Sequence, residues 1–177
     1  DPLYIDVDSA AERLDYTFHF HRLQVAGVNG AKRIALQELA INIRRGSLSS
    51  AQIKGVSFPV FHITNIKEES IGQWLDLKSF DSGCLNDVSS IVKAQPGDIL
   101  ISRVGRNLDS KIIGVMAGSF PVSDCVYVIR CAPGIRETVL AQIASPEGRA
   151  WISAHAYGVA AKQLAKKELL TFPILLD

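Results

Sequence analysis

Gln95-Pro96-Gly97-Asp98-Ile99-Leu100-Ile101-Ser102-Arg103-Val104-Gly105-Arg106-Asn107 is the stretch on which the reading of this chain turns. Proline presets φ and glycine accepts a positive one, so Pro96-Gly97-Asp98 is a turn, with Asp98 bonding to backbone amides within it. Ile99-Leu100-Ile101, β-branched at its first and third positions, is then a short buried strand. Ser102, Arg103, Arg106 and Asn107 follow at once, with Gly105 among them. A buried strand that ends this way carries hydrogen-bond donors from a rigid base to the surface. Arginine forks match phosphates and the O6/N7 edge of guanine, and glycine lets a backbone approach closely. Two readings stand for these residues: a strand leading into a solvated basic loop, and a loop that reads nucleic acid.

Outward from this stretch the succession continues with Lys111-Ile112-Ile113-Gly114-Val115 and Ser123-Asp124. Earlier come Ile43-Arg44-Arg45-Gly46 and Ser57-Phe58-Pro59-Val60-Phe61-His62-Ile63-Thr64-Asn65-Ile66, and later Tyr157-Gly158 with Leu170-Thr171-Phe172-Pro173-Ile174. In order and spacing these segments resemble the target recognition domain of type I restriction-modification specificity subunits, over residues 34–174. No single motif is diagnostic; the five together carry the resemblance. In addition, Arg13-Leu14-Asp15-Tyr16 resembles a segment that precedes the recognition domain where methylase and specificity parts share one chain.

The resemblance implies a domain that inserts loops into DNA grooves and selects a short half-site, directing a partner adenine methyltransferase or restriction complex to it. Base reading then falls to Ser102, Arg103, Arg106 and Asn107, with Asn65 and Lys67 as second candidates. Phosphate clamping falls to Arg44, Arg45, Lys54, Lys111 and Lys162. Gly46, Gly97, Gly105 and Gly158, with Asp98, serve backbone geometry at turns. For Arg44 and Arg45 a solvated helix end, and for Lys162, Lys166 and Lys167 a charged helix face, remain the alternatives. No cofactor is expected in this chain; S-adenosylmethionine belongs to the partner methyltransferase. Specificity subunits of this kind pair two recognition domains through long helices. Here one domain is expected at residues 34–177, after a lead-in at 1–33, and no heptad run follows Ile174. The chain is therefore read either as a half that joins a second recognition domain or its own copy, or as the C-terminal reader of a methylase fusion. An opening at Asp1, with Met116 the only methionine, is read as the mark of a piece or a processed product.

Composition bounds these readings. At 177 residues the chain is long enough for one core, and 47% apolar with 21% charged residues is ordinary for a globular protein. The net charge of +1 is far from that of a nonspecific nucleic-acid coat, but it is unevenly spread. Asp1, Asp6, Asp8, Glu12 and Asp15 meet only Arg13 in the first fifteen residues, whereas Lys32, Arg33, Arg44, Arg45 and Lys54 meet only Glu38 in the next stretch. Local positive fields of that kind steer DNA even when the sum is near zero. No membrane-length apolar run or signal peptide is present. Cys84, Cys125 and Cys131 form no metal-binding pair and, being odd in number, no disulfide framework; core thiols in a reducing cytoplasm are expected.

Local patterns complete the outline. The lead-in offers a short helix from the capping-box shape Ser9-Ala10-Ala11-Glu12, the pair His19 and His21, for which no third metal ligand is near, and a turn at Gly27-Val28-Asn29-Gly30. Leu36, Leu39, Ala40 and Ile43 have helical spacing, and residues 56–66 read as a strand. Residues 111–115 and 125–130 read as a further strand pair, and helices are expected at 137–144, from Pro146, and within 162–170. Strand following strand through short turns, with helices gathered late, predicts an α+β fold on a curved mixed or antiparallel sheet.

Two other classes of function stay open. Pro96-Gly97-Asp98 followed by Asp109-Ser110-Lys111 loosely matches the PD…(D/E)xK signature of a magnesium-dependent nuclease, with an inserted Gly97. A protein-interaction module without DNA binding is the other. No methylase NPPY motif, P-loop, GxSxG or HExxH is present.

Overall fold

The computed structural model describes residues 32–82 and 90–176. Expectations for the lead-in helix, His19, His21, the turn at Gly27 and Cys84 lie outside those residues. In chain order the elements are β1 (Lys32–Ala35), α1 (Leu36–Leu39), β2 (Ala40–Arg45), α2 (Ser50–Ile53), β3 (Trp74–Asp76), β4 (Lys93–Ala94), β5 (Asp98–Ser102), β6 (Val104–Gly105), β7 (Ile112–Ala117), β8 (Phe120–Pro121), β9 (Val126–Cys131), α3 (Arg136–Ala144), α4 (Pro146–His155), β10 (Lys162–Gln163), α5 (Lys166–Leu170) and β11 (Pro173–Leu176).

The main sheet has the order β2-β9-β5-β7-β3. All its pairings are antiparallel except β3 with β7, so the sheet is mixed and the fold is α+β. The run Ile99-Leu100-Ile101 forms its central strand, flanked by β9 and β7 rather than by a β7–β9 pair. Every residue of β5 is buried, because both faces of the sheet are covered. On one face Ile99, Ile101, Ile112, Tyr127 and Ile129 pack with helices α3 and α4 and with Phe172 and Ile174. On the other, Leu100, Ile113, Val115, Val126 and Val128 pack with Phe61, Ile66 and Phe120. Alternation along β5 thus divides its side chains between two cores, and each fully buried Ile or Leu contributes roughly 1.5–3 kcal/mol.

The late helices follow their sequence signals. Ser145 Oγ accepts the Gly148 N–H at 3.0 Å and Pro146 occupies the first turn of α4. Trp151, Ile152 and His155 share its buried face, with the Trp151 and His155 rings stacked at 3.7 Å. The helix ends at His155, ahead of Gly158.

Two expectations fail. The helical spacing over residues 34–43 yields only the single turn α1, wedged between β1 and β2; pairing of β1 with β11 and β2 with β9 outweighs the weak periodicity of ten residues. Residues 56–66 form no strand. Phe61 makes one bridge to Val122, Ile63–Asn65 is a single 3-10 turn, and Phe61 and Ile66, with Ile63 packed beside them, are instead buried individually over the second face of the sheet.

Candidate nucleic-acid interface

Because β2, β9 and β5 run antiparallel and β7 returns beside β5, one rim of the sheet collects the end of β2, the start of β9, the end of β5 and the start of β7. Gly72, whose N–H donates to Ile112 O at 2.9 Å, brings the start of β3 to the same rim. Arg44, Arg45, Asp124, Ser102, Arg103 and Lys111 are therefore neighbours in space at strand ends, although up to 80 residues apart in sequence.

Asp124 organises two arginines. The Arg45 Nη2 donates to Asp124 Oδ2 at 2.8 Å and its Nε to Asp124 O at 3.2 Å, while Arg103 Nε donates to the same carbonyl at 2.8 Å. Asp124 itself is tied by its N–H to Leu48 O at 2.9 Å. Two guanidinium groups, one from the end of β2 and one from the bend after β5, are thus fixed side by side, each with further N–H groups left over. This clamp was not legible in the sequence. Ser123-Asp124 belongs to the motif succession, but nothing local connects position 124 with position 45.

The loop after β5 is held from two sides. β6 pairs with β10 through Val104↔Gln163 and Gly105↔Lys162, and Leu164 N–H donates to Arg103 O at 2.8 Å. On the other side Lys111 Nζ donates to Ile66 O, and Asn107 Nδ2 reaches Glu68 Oε1 at 3.4 Å. The segment carrying Asn65 and Lys67 is thereby brought against the segment carrying Arg106 and Asn107. Gly105 has φ +152° and Gly97 φ +92°, conformations that favour glycine at these two bends.

Among the expected site residues, Arg106, Asn107, Asn65, Lys67, Arg44, Arg45 and Lys54 are exposed, whereas Arg103, Lys111 and Lys162 are half-buried. Among the described residues no hydrogen bond or ion pair engages the side chains of Arg106, Lys67, Arg44 or Lys54. Asn65 Oδ1 accepts the His62 N–H at 2.8 Å, which caps its own turn. Lys162 Nζ lies 3.5 Å from Ser153 Oγ.

Three assignments are corrected by these contacts. Ser102 is 1% exposed and donates its hydroxyl to Val104 O at 3.0 Å, so it shapes the loop and offers nothing to a base. Lys111 spends its ammonium on a backbone carbonyl, which makes it a brace between two loops before it is a phosphate contact. Gly46 has no positive φ; its role is close approach, since a Cβ there would lie 1.9 Å from Ser123 O.

The nuclease pattern is also undone. Asp98, 1% exposed, receives Arg130 in a two-pronged pair, Nε to Oδ1 and Nη2 to Oδ2, both at 2.7 Å, and accepts the Gln95 N–H at 2.9 Å. The bonds to Asp98 raise the Arg130 pKa above its ordinary value and so favour its protonated form. Asp109 lies beyond the other end of β5, with its carboxylate 3.9 Å from Arg149 Nη2. Opposite ends of a strand this long are separated by about 13 Å, so the two carboxylates cannot share an ion. Among the described residues no group of three or more His, Cys, Asp or Glu side chains is placed to hold a metal.

Cysteine chemistry is equally muted. Burial, reinforced by the nearby Asp98 charge, pushes the Cys131 thiol up to about 11. Burial and the adjoining Asp124 carboxylate raise Cys125 as well. Both remain protonated thiols near neutrality, as packing residues do. No helix among the described residues is long and apolar enough to cross a membrane.

No protein-family model matches the sequence, and no curated protein does. Solved structures do share the fold. Over 85% of this chain it matches the type I restriction-modification system S subunit from M. genitalium, at 11% identity and a TM-score of 0.51, covering 36% of that chain. Over 90% it matches, at 18% identity and a TM-score of 0.50, 40% of a chain from a structure described as the basis of complex assembly and conformational transition of the type I R-M system. The chain thus shares its fold with part of each of these longer proteins, and it spans well under half of their length.

Proposed function

We propose that this chain is a sequence-specific reader of double-stranded DNA, serving a restriction-modification system as the recognition domain that directs a partner adenine methyltransferase or restriction complex to a half-site. The observation that carries the proposal is the rim: four strand ends deliver arginine, lysine and asparagine to one edge of a rigid sheet. Among the described residues, the only carboxylates bonded to the proposed contact residues there, those of Asp124 and Glu68, bond to Arg45 and Asn107. The shared fold supports the same reading.

In this arrangement Arg106 and Asn107 are the principal base readers, exposed on a loop anchored at both sides, with Asn65 and Lys67 across from them. Arg103, fixed by Asp124, presents the outer face of its guanidinium beside them. Arg44, Lys54 and the remaining donors of Arg45 contact phosphates, which position the domain without reading sequence. The methyltransferase partner would hold S-adenosylmethionine.

Replacing Arg106 with alanine is expected to relax preference at one base pair and to cost about 1–3 kcal/mol of specific binding. Replacing Arg44 or Lys54 is expected to weaken all sequences alike and to lower the salt slope by about one phosphate contact each. Selection from a random duplex library at two salt concentrations without magnesium tests the proposal directly. A short motif that survives the higher salt supports it. Binding that disappears with salt and enriches nothing would leave only phosphate affinity and overturn it.

A further inference from the structure

Beside the basic rim stands a segment of opposite character. Residues 157–161, Tyr-Gly-Val-Ala-Ala, are all exposed; Tyr157 is 49% exposed and Val159 fully so. Single exposed apolar residues are unremarkable on a protein surface, but here five consecutive residues lack any charged side chain. The segment is held in shape. Tyr157 and Gln163 exchange both backbone hydrogen bonds, at 3.0 and 2.7 Å, a single antiparallel bridge that closes residues 158–162 into a loop. Gly158 has φ +114°, and a Cβ there would lie 2.5 Å from Ala161 O, so the tip is folded tightly on itself.

The base of this loop is joined to the rim. Lys162 and Gln163 pair with Gly105 and Val104, in the loop that carries Arg103 and Arg106. Leu164, next in the chain, donates to Arg103 O and accepts the buried Tyr127 hydroxyl at 2.9 Å, which bolts the loop to the central sheet. The DNA major groove is about 12 Å wide, and small apolar side chains placed in it meet the C5 methyl of thymine. Continuity with the rim supplies the charge that draws the tip to DNA.

We infer that the 157–163 loop enters the major groove beside the Arg106 loop and that Val159 reads a thymine methyl group. The inference rests on the DNA-recognition reading above and adds to it an apolar specificity contact.

The test uses the full chain and the motif enriched from the random duplex library. Each thymine of that motif is replaced, one at a time, by deoxyuridine, which lacks only the methyl. One such replacement is expected to weaken binding of the unaltered protein about fourfold, the effect of one buried methyl-sized group. Val159→Ala, whose side chain stops at Cβ, should bind the thymine duplex correspondingly less well and be indifferent to that replacement, while Val159→Thr, which keeps one γ-methyl, should restore the sensitivity. A uracil penalty of equal size in the unaltered and Val159→Ala proteins overturns the inference and leaves DNA recognition standing. So does an enriched motif at which no uracil matters, or one that bends on binding and loses the bend in Val159→Ala, the mark of an intercalating wedge. A library that enriches nothing overturns the recognition reading and this inference with it.

Discussion

Replacing Asp98 with alanine is expected to lower the unfolding free energy by about 3 kcal/mol, because it leaves the Arg130 guanidinium without its partner. The carboxylate is almost wholly buried and saturated, accepting two bonds from Arg130 and one from the Gln95 amide. Arg130 is itself three-quarters covered, with a side-chain exposure of 27%, so solvent offers it little compensation. The pair also ties two neighbouring strands, since Asp98 and Arg130 face each other across β5 and β9. For a chain of this length such a loss lowers Tm by about 6–12 °C, measurable by thermal or denaturant unfolding. A loss below about 1 kcal/mol would show that the pair does not hold the turn. Below its Tm the variant should keep its preference among duplexes, because Asp98 lies at the end of β5 away from the rim. That outcome separates a structural aspartate from a metal-binding one, whose loss would leave stability nearly unchanged.

Gly46→Ala is the second substitution with a large expected effect, again about 3 kcal/mol, and it reaches function as well. The new Cβ would lie 1.9 Å from Ser123 O and 2.6 Å from both Ser123 C and Val122 O. These are backbone atoms, so no rotamer change relieves the contact. The end of β2 must move away from the connection into β9, which strains the Gly46 N–H bond to Val126 O at 2.9 Å and displaces Arg45 from Asp124. Lower stability together with weaker duplex binding is the expected combination. Gly55→Ala is the control: its Cβ meets only Gln52 O at 3.6 Å, an ordinary contact, and should change stability by no more than about 0.5 kcal/mol. Equal effects from the two substitutions would mean that close packing at Gly46 is not the cause.

The sequence by itself determined those parts of the protein whose cause is local. Pro96-Gly97-Asp98 states its turn, and Ile99-Leu100-Ile101 its buried strand, because turn chemistry and β-branching act within a few residues. The cap at Ser145-Pro146 states the start of α4 for the same reason. The order of motifs was enough to anticipate a fold that solved structures share. Short segments failed where periodicity over ten residues competed with pairing partners far along the chain, as at α1, or where apolar residues found separate burial sites, as in residues 56–66. The state of each candidate side chain was decided only by the tertiary structure. Ser102, Lys111 and Arg106 are alike in the sequence as polar residues near a strand end, yet one is buried, one is bound to Ile66 O and one is exposed. What separates them is which distant backbone groups arrive beside them, and a hydrogen bond between residues 45 or 79 positions apart leaves no trace in local composition.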